Sequence, residues 1–193
     1  AGLHIAAIRA VRPIEHVKVW ARDPTKARQF AAAHGAVACP DVATACDGAD
    51  IICTLTGARA PILLGRDLSP GQHVNAVGAS TADERELDET AVARGRFFAD
   101  SVAGVQAQGG EYRAALAAGA VTDGHILGAL GQVLRGDVAG RTRDSDITIY
   151  KSLGSIIQDL AAGRFLLAAA MQAGAGLSLS FAAPDGRPTP GGS

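Results

Sequence analysis

The chain is predicted to form a doubly wound α/β domain, a parallel sheet covered by helices on both faces. Three observations carry this. Short strand-like stretches alternate with helical ones through most of the 193 residues, the pattern that gives parallel strands joined by helical crossovers. Ile51–Thr54 reads as a buried strand and His73–Val77 as an apolar one that breaks at Gly78. Helix starts are marked by capping carboxylates at Asp23, Asp41 and Asp88, and a stop by Gly35.

In chain order, residues 3–11 form a helix already under way at the first residue. Val17–Trp20 is a short strand. Asp23-Pro24 then offers an N-cap and a first-turn proline for a helix that runs to about His34 and ends at Gly35. Asp41 caps a short helix, Ile51–Thr54 is a strand, and 66–71 is a turn. After the strand His73–Val77 a polar loop leads to Asp88, which caps a helical turn over Glu89–Arg94. Arg96–Ala99 is a strand, 101–118 and 125–135 are helical, and Asp146–Tyr150 is the last strand. Residues 153–173 form the longest helix. The expected organisation is a dinucleotide-binding domain over 1–150, a C-terminal helix within 151–176 and a flexible tail over 177–193.

A net charge of −1, with 48% hydrophobic and 19% charged residues, describes a globular chain. So balanced a surface argues against nucleic-acid and membrane-surface partners. No apolar run approaches the ~20 residues that span a bilayer. The three cysteines, Cys39, Cys46 and Cys53, form no close pair and have no His at ligand spacing. They are read as buried small hydrophobes in a reducing compartment, with no metal site and no disulfide framework.

Ligands of such sheets bind beyond the carboxyl ends of the strands. The loop Gly78-Ala-Ser-Thr81 carries little side-chain bulk and admits a flat ligand close to the backbone, although an ordinary βα turn has the same composition. At the end of the second strand of a dinucleotide-binding sheet, a carboxylate takes the free ribose hydroxyls of NAD, and an Arg accommodates the extra phosphate of NADP. Here the strand ends at Trp20-Ala21 without a carboxylate and Arg22 follows, with Thr25 and Lys26 as further phosphate contacts. NADP is therefore favoured over NAD; the alternative is a solvated loop in which Asp23 only caps its helix. Cys53-Thr-Leu-Thr-Gly-Ala-Arg59 offers small and hydroxylated residues that can run beneath a dinucleotide. The helix start after Asp146–Tyr150 suits an anionic or amide group.

Val74-Asn-Ala-Val-Gly-Ala-Ser80 with Arg85-Glu-Leu-Asp88, and Ile147-Thr-Ile-Tyr-Lys-Ser-Leu-Gly154 with Gln158-Asp-Leu160, resemble the ornithine cyclodeaminase/mu-crystallin family. Val19–Arg22, Asp50–Thr54, Phe98–Asp100 and Gln108–Glu111 fall in the family's order, so the resemblance extends to about residue 170. It implies a nicotinamide-dependent enzyme, typically dimeric, with a separate substrate domain at the N-terminus. The family's Gly-x-Gly-x-Gln-Ala turn, which cradles the pyrophosphate, is followed by a stretch that Ala1-Gly-Leu-His-Ile5 resembles. The glycines, the first strand and the substrate domain are on this reading missing from the chain. Cyclodeaminase-type and alanine dehydrogenase-type members place an Asp where Ser80 stands; the Gly-Ala-Ser pattern resembles the ketimine reductase branch.

The resemblance therefore implies a cytoplasmic NAD(P)H-dependent reductase of small cyclic imino acids such as 1-pyrroline-2-carboxylate or 1-piperideine-2-carboxylate, a homodimer when complete. NADP(H) is the preferred cofactor and NAD(H) the alternative. Thr54, Leu55, Thr56, Val77, Gly78, Ala79 and Ser80 line the nicotinamide side, Ser152 and Leu153 close it, and Arg22, Thr25 and Lys26 hold the ribose phosphate. Ser80, Asp83 or a bound water relays the proton to the imine nitrogen. Two other functions stay open: an ornithine cyclodeaminase, and a non-catalytic mu-crystallin-like binding protein.

Overall fold

The computed structural model describes residues 1–177 and Leu179. The elements run α1 (Gly2–Val11), β1 (Lys18–Val19), α2 (Pro24–His34), β2 (Val37–Ala38), α3 (Val42–Cys46), β3 (Ile51–Thr54), β4 (His73–Ala76), α4 (Glu89–Arg94), β5 (Arg96–Ala99), α5 (Val102–Gln108), α6 (Gly110–Ala117), β6 (Ile126–Ala129), α7 (Leu130–Arg135), β7 (Thr148–Lys151) and α8 (Ile156–Ala173). The described residues fall into two units, Ala1–Gly154 and a second from Ser155 onward. Ser152 to Gly154 are hydrogen-bonded to Asp100 within the first unit. Most of the tail expected from residue 177 lies outside the described residues.

All strand pairs among the described residues are parallel. Five strands form a sheet in the order β3-β4-β7-β5-β6, and β1 and β2 form a separate pair. Strand alternation sets the core. Val74, Ala76, Ile149, Phe97 and Ala99 point to one face and are buried against Ala91 and Val92 of α4, Val105 of α5, and Tyr112 and Ala115 of α6. On the opposite face His73, Asn75 and Tyr150 are only half-buried. Phe98 and Thr148 on that same face are buried, and the expected doubly wound parallel sheet with flanking helices is what the chain forms.

The capping residues act as read. The Asp23 carboxylate accepts the Thr25 N–H at 2.9 Å and Gly35 ends α2 at a φ of 63°. Asp41 caps α3 through Thr44 N–H, and Asp88 caps α4 through Ala91 N–H at 2.7 Å. Helix 101–118 is instead two helices. The chain breaks at Gly109, and Gly110 lies so close to the Glu84 carbonyl that any side chain there would overlap it. Residues 126–129 are a strand rather than the start of a helix. Ile126 and Gly128 pair with β5 across a register shift, and the helix begins only at Leu130. Of the cysteines only Cys46 is fully buried, and burial pushes its thiol up to about 11. Cys39 and Cys53 are half-buried, and all three are free.

Candidate active site

β1 and β2 lie to one side of a gap and β3 opens the main sheet on the other. A cavity of about 820 Å³ fills the gap, walled by Lys18–Trp20 and Ile51–Thr56 and floored by Ile5 and Ile8 of α1 and Phe30 of α2. The strand order reverses here, the place at which parallel α/β sheets bind ligands. Arg22 and Lys26 line one end of the cavity; Thr54, Leu55 and Thr56 line the opposite wall. Asp23 is engaged with the amides of Thr25 and Lys26. Arg28, which the sequence pattern did not single out, donates to Thr25 Oγ1 at 3.2 Å. Arg22, Lys26 and Arg28 are all exposed, and among the described residues none of the three is in a salt bridge.

The ends of β3 and β4 are bound together by one buried carboxylate. Glu86 is fully inaccessible. Its Oε2 accepts from Thr54 Oγ1 at 2.7 Å and from Gly78 N–H at 2.9 Å. Its Oε1 accepts from Thr56 N–H at 2.5 Å and Thr56 Oγ1 at 2.8 Å. The backbones of Gly78 and Thr56 approach so closely that a Cβ at Gly78 would overlap Leu55 and Thr56. That contact, rather than any unusual φ, is what demands glycine.

A second buried group ties in β7. Lys151 Nζ donates to the Ala79 carbonyl at 2.5 Å and pairs with Glu111 Oε1 at 3.1 Å, both side chains being 1% exposed. Glu111 Oε1 also accepts the Glu86 N–H at 3.0 Å, whereas Oε2 has no hydrogen-bond partner among the described residues. Asp100, at the end of β5, accepts the N–H groups of Leu153 and Gly154, each at 2.8 Å, and Ser152 Oγ at 3.3 Å. Val77 N–H donates to the Thr54 carbonyl at 3.0 Å. The expected nicotinamide-side residues Thr54, Thr56, Gly78, Ala79, Ser152 and Leu153 are therefore drawn to one edge by Glu86, Lys151 and Asp100.

Ser80 and Asp83 stand at the exposed rim. Ser80 N–H donates to Glu84 at 3.3 Å. Asp83 accepts from Thr81 Oγ1 at 2.8 Å and faces Arg59 at 3.9 Å, with both side chains largely in solvent. The Thr81 hydroxyl, above all, holds the Asp83 carboxyl below its ordinary value. Asp83 is thus ionised at neutral pH and poorly suited to give a proton, whereas Ser80 keeps a neutral hydroxyl.

The holding residues Glu86, Glu111, Lys151 and Asp100 were not singled out for this task by their spacing. One signal was present: Lys151 shares its parity with Ile147 and Ile149, so the strand pattern places an ammonium on the buried face, where an unpaired charge is not tolerated.

A parallel sheet with a cavity at its switch point, cations at one end and a hydroxyl-lined edge at the other defines a doubly wound α/β domain of the dinucleotide-binding type. The model of the ornithine cyclodeaminase/mu-crystallin family matches residues 1–173, and the chain belongs to that family. Delta(1)-pyrroline-2-carboxylate reductase of Paracoccus denitrificans is 36% identical over 162 residues, 81% of this chain and 51% of that protein. Ketimine reductase mu-crystallin of Mus musculus is 36% identical over 154 residues, 79% and 46%. Among solved structures, Thermococcus litoralis Delta(1)-pyrroline-2-carboxylate reductase in complex with NADH and L-proline superposes with a TM-score of 0.88 at 28% identity, covering 92% of this chain and 57% of that one. The chain spans about half the length of the curated relatives it matches. Among the described residues, no helix is long and apolar enough to cross a membrane, and no cluster of His, Cys, Asp and Glu could hold a metal ion.

Proposed function

We propose that the protein is an NAD(P)H-dependent reductase of small cyclic imino acids, of the kind its relatives act on. The observation that carries this is the electrostatic character of the edge formed by β3, β4 and β7. Its one fully buried carboxylate without a cationic partner, Glu86, is occupied by four donors, and Asp83 points into solvent beside Arg59. The carboxylate beside Ser80, Glu84, accepts the Ser80 N–H at 3.3 Å, and the side chain at position 80 is itself a hydroxyl. Such an edge binds and orients, and at position 80 it offers a neutral hydroxyl where deamination of ornithine calls for a base. Bound reduced nicotinamide supplies the hydride. Ser80 contributes a neutral hydrogen bond at the reacting end, and the ordered loops Thr54–Thr56 and Gly78–Ser80 fix the platform.

NADP(H) is the preferred form on this reading. Arg22 and Lys26 line the cavity together with β1, Arg28 donates to Thr25 on the same helix, and the adjacent carboxylate, Asp23, caps that helix. The gap between β1 and β3, each an unpaired edge of a parallel sheet, suits one further parallel strand from the longer protein, and its glycine turn would bring the pyrophosphate to α1. In the second unit, α8 exposes Ile156, Ile157, Leu160 and Phe165. Such a helix fits packing onto a substrate domain in a dimeric whole protein.

Full-length protein should oxidise NADPH on addition of 1-pyrroline-2-carboxylate and release no ammonia from ornithine. Ser80→Ala should slow the reduction by roughly ten- to a hundredfold, the loss of one hydrogen bond of about 1–3 kcal/mol. Ammonia release rivalling imine reduction would assign the protein to the cyclodeaminases instead. Tight cofactor binding with neither reaction would favour the non-catalytic binding protein.

A further inference from the structure

The hydrogen-bonding sense of the cofactor edge is set by Glu86. A threonine hydroxyl has one proton and two lone pairs. Thr54 Oγ1 and Thr56 Oγ1 both direct their proton to Glu86, at 2.7 and 2.8 Å, because a carboxylate surrounded by four donors only accepts. The Thr56 and Gly78 amides donate to the same carboxylate. Both threonines line the cavity, Thr56 half-buried and Thr54 almost fully buried, so what their hydroxyls have left to offer a ligand is lone pairs, chiefly at Thr56. The edge next to Gly78 is therefore an acceptor surface.

We infer that Glu86 is a positioning and specificity-determining residue: by holding the protons of Thr54 and Thr56 it makes this edge recognise the amide N–H groups of the nicotinamide carboxamide. The inference rests on the dinucleotide reading above. Ribose hydroxyls donate or accept alike and are indifferent to the sense of the edge. The carboxamide is not, since its NH₂ only donates. A carboxylate in its place would face lone pairs with no proton to offer. Glu86 is itself held in register, its N–H on Glu111 and, through Glu111, on Lys151 and the Ala79 carbonyl.

The test is the ratio of affinities of the full-length protein for NAD⁺ and for nicotinic acid adenine dinucleotide, which carries a carboxylate in place of the amide, measured by calorimetry. The native protein should prefer NAD⁺ by roughly 10- to 100-fold. In Glu86→Gln the new amide donates to one hydroxyl and turns its proton toward the ligand, so the preference should fall to within about threefold. Thr56→Val should narrow it too, while Thr56→Ser, which keeps the hydroxyl, should preserve it. That pair decides the matter if Glu86→Gln does not fold, because a purely structural role would not move the ratio. Equal binding of both dinucleotides by the native protein, or a full preference surviving in Thr56→Val, overturns the inference and leaves the dinucleotide reading standing. Binding of neither dinucleotide overturns both.

Discussion

Lys151→Met should lower the free energy of unfolding by about 3–5 kcal/mol, the usual cost of removing one partner from a buried ion pair. The native ammonium is 99% shielded and makes two contacts, to the Glu111 carboxylate and the Ala79 carbonyl. Without it Glu111 keeps a single donor, the Glu86 N–H, and its second oxygen already has no partner among the described residues. A carboxylate left that way in a dry interior is costly. Adding Glu111→Gln should recover much of the loss, since a neutral amide still accepts the Glu86 N–H and leaves no uncompensated charge. Urea unfolding of the two single variants and the double variant checks this as a coupling energy. Strictly additive losses would show that the two side chains act independently.

Arg22→Ala in the full-length protein should weaken NADPH by roughly ten- to a hundredfold, the loss of a charge-assisted hydrogen bond of about 1.5–3 kcal/mol, and leave NADH nearly unchanged. Arg22 and Lys26 border the cavity, and the carboxylate next to them is occupied by backbone amides. Lys26 and Arg28 remain in the variant, so residual NADPH binding should stay steeply dependent on salt. Titration of cofactor fluorescence with both nucleotides gives the comparison, and equal weakening of the two would remove Arg22 from the 2′-phosphate site.

The fold was legible where local chemistry and tertiary structure agree. Asp23-Pro24 and Gly35 bound α2 as read, and Asp88 starts α4, because a cap acts within one turn of its own helix. β6 was hidden because Ile126-Leu-Gly-Ala129 is short and runs into α7, so nothing local separates strand from helix; its identity comes from pairing with Phe97 and Phe98. The break at Gly109-Gly110 likewise depends on a distant group, the Glu84 carbonyl. In the site, the loops at the strand ends were legible from their small and hydroxylated residues. The groups that hold them were not, since Glu86, Glu111 and Lys151 meet across 25 and 40 positions of sequence. A lone acidic residue in a polar loop looks like surface until its four donors are seen.

The central claim, that this family member transfers hydride to a cyclic imine, is tested most directly by isotope transfer. Full-length protein should be supplied with NADPH carrying deuterium at both C4 positions of the dihydronicotinamide, with 1-pyrroline-2-carboxylate, in ordinary water. The expected product is proline with one deuterium at C2, formed in step with cofactor oxidation. Proline without deuterium, or proline arising only from ornithine with release of ammonia, would contradict it.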